Sequence, residues 1–201
     1  MADVKRLYRK ISEPNFPCPT ELFLQIVAII RLRTQIIEDI SWEALQSGVS
    51  AVFKGINTFD PDNWIEDYSI PDYPEVPLVA KIFKISTIIF AVATLPQPPS
   101  LTTHYSIKDL GEELVKVLRE TWPSPRCKDK LVFPLAIAGF ALARGASEDQ
   151  DFIHDCLMDT YRIPSGRCAG ALVAANNLRL FWFSKMTGWN DCWKELFKLM
   201  E

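Results

Sequence analysis

The sequence is poor in the residues that hold metals. It has two histidines, His104 and His154, and five cysteines in 201 residues. Cys18, Cys127, Cys156, Cys168 and Cys192 are odd in number, and no two stand at a two-residue ligand spacing. That excludes a disulfide scaffold and a structural zinc site, and no signal peptide precedes the first helix. The thiols read as isolated core residues in a reducing compartment, hence an intracellular protein, cytoplasmic or nuclear. Also missing are a glycine-rich phosphate loop, a GxSxG elbow and an HExxH helix, so no metal and no cofactor is expected. No Asn-Gly or Asp-Gly separates alternating runs, which removes the strongest hairpin signal.

Positive charge is lacking as well. The formal net charge is -3, against the clustered Lys and Arg that a nucleic-acid surface needs. The one basic stretch, Lys5 to Lys10, is short and terminal. A membrane span is not expected either. Val76 to Leu95 is apolar, but Pro77, Lys81 and Lys84 interrupt it, and Leu131 to Ala143 is too short for ~30 Å of hydrocarbon.

What is present is helix punctuation around 48% hydrophobic residues. At this length one core can bury roughly 70% of the unfolded chain's surface. After Thr20, Leu22, Ile26, Ile29 and Ile30 recur at helical spacing. Ser41 caps a second helix, and Asp60 with Pro61 opens a short turn of helix. Val76 to Leu95 and Leu131 to Arg144 read as buried helices, the latter kinked by Pro134. PQPPS, Pro96 to Ser100, reads as a linker. Capping boxes are expected at Ser106/Asp109 and Ser147/Gln150, and Asn190 is expected to cap the last helix. The fold class is all-α, a single globular domain of about eight helices, with residues 1–19 an extension and 20–201 the helical body.

Chemistry has to be sought in weaker signals. His154, with Asp151 and Asp155 beside it, is a general base on one reading and part of a solvated polar face on the other. Glu66, Asp67 and Tyr68 enter a proline-rich loop beside Trp64 and could supply an acid next to an aromatic wall. Asn176 and Asn177 interrupt a nearly all-apolar helix, so at least one amide is expected to be buried, either satisfied by backbone or facing a ligand. Trp182, Trp189 and Trp193 fall within twelve positions, as core packing or as walls for a flat ligand.

Four segments in order carry a family likeness: PTELFLQIVAIIRLR, INTFDPDNW, LVFPLAIAGFALARG and LRLFWFSKMTGWNDCW. Together they resemble the helical effector domain of fungal-specific transcription factors, which normally follows a zinc binuclear cluster. Phe59, Pro61 and Trp64 match the family's Phe-x-Pro-x-x-Trp element, Pro134 and Gly139 its Pro-x-x-x-x-Gly helix, and Trp182 and Trp189 its terminal pair. The resemblance implies reception of a small molecule and control of an attached module. The six closely spaced cysteines of the zinc cluster are not in this sequence.

Two functions follow as expectations. The first is a stand-alone ligand-binding regulatory domain tied to secondary metabolism. It would take an apolar or aromatic small molecule at Trp64, Tyr68, Asn176, Asn177, Trp182 and Trp189, with a homodimer or a partner protein as its output. The second is a cofactor-free isomerase, cyclase or lyase of natural-product biosynthesis. Its carboxylic acid would be Glu66, Asp67 or Asp155, assisted by His154.

Overall fold

Helix is the only regular structure among the described residues of the computed structural model, which are 18–37, 41–67, 75–96, 105–163, 168–184 and 186–198. In order these helices are α1 (Thr20–Ile37), α2 (Trp42–Thr58), α3 (Pro61–Asp67), α4 (Val76–Thr94), α5 (Ile107–Thr121), α6 (Val132–Ala141), α7 (Ser147–Arg162), α8 (Ala169–Phe183) and α9 (Trp189–Lys198). The all-α class is as expected. The helix beyond the expected eight is α3, seven residues long, short enough that the sequence shows it only as an opening turn. By internal packing the chain divides into two compact units, Met1–Ser106 and Ile107–Glu201. Beyond Pro96, the expected 96–100 linker lies outside the described residues.

In the first unit, α4 is the centre against which α1, α2 and α3 pack. Leu22 and Ile29 of α1 and Val49, Val52, Phe53 and Ile56 of α2 are buried against it. By length and mean hydropathy α4 could cross a membrane, but 67% of its most apolar window is buried inside the protein. Ser86 and Thr87 are wholly buried, and each hydroxyl donates to the carbonyl four residues back, Ile82 and Phe83, at 2.7 Å. Lys84 turns its ammonium to the Phe59 carbonyl at 2.7 Å, joining α4 to the end of α2. These are the habits of a core helix, its polar groups satisfied within the protein.

The expected caps form in this half. Ser41 Oγ accepts from the Ala44 amide at 3.4 Å. Asp60 accepts from the Asp62 amide and from Asn63 Nδ2, both at 3.0 Å, with Pro61 at the first helical position where its missing N–H costs nothing. Tyr105 closes the unit, stacking on Phe53 and donating its hydroxyl to Asn57 Oδ1 at 2.8 Å.

In the second unit, α6 is the core element, packed by α5, α7 and α8, with α7 also on α8 and α9 on α8. The approach of α5 to α6 is close: a Cβ on Gly111 would lie 2.7 Å from that of Ala141. Three sequence expectations are corrected here. Because α6 begins at Val132, Pro134 occupies its first turn, where an amide has no intrahelical partner anyway, so no kink is required. The Ser147/Gln150 box does not form, because Ala146 holds the cap position and Gln150 Nε2 donates to the Leu142 carbonyl at 2.8 Å. Asn190 lies inside α9, and it is Asp191 that reaches back to accept from the Gly188 amide at 3.2 Å.

Candidate functional site

A cleft of about 330 Å³ lies between α7 and α8, lined by Ser147, Gln150, Asp151 and His154 from the first and Arg179, Trp182 and Phe183 from the second. Helical periodicity makes it. Ile153, Cys156, Leu157 and Thr160 bury one face of α7, which leaves positions 147, 150, 151 and 154 on a neighbouring face at i, i+3, i+4, i+7. On α8 the buried stripe is Ala171, Ala174, Ala175, Leu178 and Phe181, and 179, 182 and 183 repeat beside it at i, i+3, i+4. A polar flank of α7 therefore meets a largely aromatic flank of α8.

The floor of the cleft is fixed from below. Trp182 donates Nε1–H to the Gly139 carbonyl of α6 at 2.9 Å. That bond uses the polar edge of the indole on the interior side and leaves hydrocarbon for the cleft. Gln150 is held the same way by its bond to Leu142. Both acceptors lie at the C-terminal end of α6, where carbonyls run out of helical donors. The Leu142 amide goes to Ala138 and the Ala143 amide to Phe140, which passes over Gly139.

The charges of the cleft are unspent. Among the described residues neither Asp151 nor Arg179 has an ion-pair or hydrogen-bond partner, although they line the same space. His154 is mostly buried, its side chain 21% exposed, with Nδ1 at 3.6 Å from Asp155 Oδ1. Phe183 is 79% exposed, a large aromatic side chain standing in solvent at the rim.

A second cavity of about 440 Å³ runs along the end of α6, between Phe140 and Ala146, and includes Ile107, Lys108, Glu112, Asp149 and Thr187. Its charges are largely committed. Lys108 pairs with Glu112 at 3.8 Å, and Asp149 accepts from Arg119 at 2.9 Å. None of the residues singled out from sequence lines it.

Of those residues, His154 and Trp182 share the first cleft. Asp155, at 83% side-chain exposure, faces solvent beside it. Asn176 is exposed, while Asn177 is half-buried, and its Nδ2 is buried with no hydrogen-bond partner among the described residues. Trp189 belongs to an aromatic cluster instead, edge-on to Phe140 at 5.1 Å and tilted on Trp193 at 5.6 Å. Trp64 belongs to the first unit, against Phe59. Glu66 and Asp67 close α3, but their side chains, like all of Tyr68 and His104, lie outside the described residues.

Sequence reasoning missed Arg179, Phe183, Ser147 and Gln150 as cleft residues. The signal available was the matching i, i+3, i+4 spacing on the two helices, but only their packing shows that those faces meet. None of the five cysteines is in a disulfide, and four of them are buried. Among the described residues no group of three or more His, Cys, Asp or Glu could hold a metal.

Comparison with known proteins found no match to a curated protein and none to a solved structure. A family model does match, that of the fungal specific transcription factor domain, over residues 5–200. By that match, over nearly its whole length, the chain belongs to the fungal specific transcription factor domain family.

Proposed function

We propose that this chain is a small-molecule-binding regulatory domain whose ligand enters the cleft between α7 and α8. One observation carries the reading. The cleft gathers an aromatic wall, an imidazole and two charged groups that have no partners of their own among the described residues. Small-ligand sites combine apolar walls with a few convergent polar groups, in volumes of roughly 300–1,000 Å³. Side chains serving only the fold would be expected to pair across such a space.

The family supports a regulatory role for this reading, and a place in the nucleus or cytoplasm. The net charge of -3 supports signalling through a second copy of this chain or a partner protein rather than through direct contact with nucleic acid. Ligands tied to secondary metabolism, apolar or aromatic, suit the Trp182 wall.

The test is a thermal-shift screen of the purified chain against fungal metabolites, repeated on Trp182→Ala and His154→Ala. Compounds that raise the melting temperature of the parent protein and not of these variants support the reading. Stabilisation that persists undiminished in both variants, or no stabilisation by any compound, overturns it.

A further inference from the structure

Asp151 and Arg179 stand in one cleft without pairing, and this sets the chemistry of what fits between them. Opposite charges that share a small space gain by meeting, unless their helices hold them apart. Here one is fixed to α7 and the other to α8, and the two helices pack directly on each other. Each side chain keeps its hydrogen-bonding capacity unspent among the described residues. A guanidinium offers a planar fork of donors that matches a carboxylate, and a carboxylate accepts from an ammonium.

Alongside these groups the cleft offers Trp182, oriented by its bond to Gly139, and Phe183 at the rim. A purely apolar ligand would cover part of both exposed charged groups without answering either, at a cost in affinity. A ligand with one charge would answer one of them and strand the other. A flat aromatic molecule carrying a carboxylate and an ammonium answers both and stacks on the wall. About 330 Å³ suits a ligand of amino-acid size.

We infer that the cleft receives an aromatic zwitterion of the amino-acid class, its carboxylate on Arg179, its ammonium on Asp151 and its ring against Trp182. This rests on the reading of the α7–α8 cleft as the ligand site, and it narrows the ligand from aromatic molecules in general to one bearing both charges. Among candidate ligands, cation–π attraction of the ammonium to an indole or phenyl face adds to the preference.

The experiment is isothermal titration of the full chain with three probes that share one ring: L-tryptophan, tryptamine (no carboxylate) and indolepropionate (no ammonium). L-Tryptophan is expected to bind at least about tenfold more tightly than either of the others. Arg179→Gln is expected to weaken L-tryptophan and indolepropionate by about tenfold and to leave tryptamine within about twofold. Asp151→Asn is expected to do the converse, weakening L-tryptophan and tryptamine alone. Both side chains are at the surface, and a thermal melt of each variant verifies folding. Equal binding of the three probes, or equal weakening of all three by either variant, overturns the inference. Failure of every probe also overturns it, while thermal shifts by uncharged metabolites that depend on Trp182 would leave the parent reading standing.

Discussion

Trp182 of α8 donates its indole N–H to the carbonyl oxygen of Gly139, 2.9 Å away on α6. The bond ties the wall of the cleft to the core helix of the second unit, and it satisfies a carbonyl that α6 itself leaves over. Trp182→Phe keeps a ring of similar character and removes the donor. The stranded acceptor is expected to cost about 1–2 kcal/mol, read as a lower midpoint in urea with an unchanged slope. An unchanged midpoint would show that solvent replaces the indole at no cost.

Gly139 matters a second time through what it lacks. A Cβ there would run into Leu178 Cδ1 and lie 2.8 Å from its Cδ2, and Leu178 is itself fully buried. Gly139→Ala therefore forces Leu178 off its rotamer or α8 away from α6. The expected cost is about 1–3 kcal/mol, measured by chemical denaturation. Gly139→Ala combined with Leu178→Ala should lose less than the sum of the two single losses if this contact is the source.

Most of the fold was legible in sequence because helices announce themselves locally. Ser41 and Asp60 cap where their side chains reach the first amides. The site was less legible because it is a relation between helices. His154 and Trp182 are 28 residues apart in the sequence, and nothing in either segment tells which faces will oppose. The failed box at Ser147 has the same cause. Gln150 had a better acceptor in the Leu142 carbonyl, which only the turn between α6 and α7 brings near.

Arg119 of α5 reaches α7 three ways, with Nη2 to Asp149 Oδ1 at 2.9 Å, to the Glu148 carbonyl at 3.4 Å, and the guanidinium over the Phe152 ring at 4.1 Å. A surface ion pair alone is worth little, but the planar group also stacks, and a lysine cannot do both. Arg119→Lys is expected to lose most of the roughly 1 kcal/mol that Arg119→Ala loses. If lysine restores full stability by thermal melting, charge alone holds this contact.

Asn177 presents the opposite case, a buried amide nitrogen without a hydrogen-bond partner among the described residues. Its desolvation is uncompensated, so an apolar side chain of similar size should be tolerated or favoured. Asn177→Leu is expected to raise stability by about 1 kcal/mol. A loss of stability instead would show that the amide has a partner, a bound water or a ligand group among the candidates, and titration with the cleft probes would separate these.

Burial pushes the Cys156 thiol up to about 12 from its ordinary 9.0, and the carboxylate of Asp159 adds to the effect. Burial raises Cys192 as well. The protonated thiol is thus favoured more in the folded chain than in the unfolded one. Its contribution to stability is complete below pH 9 and is lost progressively as pH rises from about 9 to about 12. Cys156→Ala removes the titrating group. Across that window its stability should fall less steeply than the parent's, by up to roughly 1.4 kcal/mol per pH unit. The same burial leaves little thiolate at neutral pH, so Cys156 should resist a thiol reagent until the protein unfolds. Rapid labelling of Cys156 in the native protein at neutral pH, or parallel alkaline stability curves for parent and variant, would contradict the assignment of this thiol to the core.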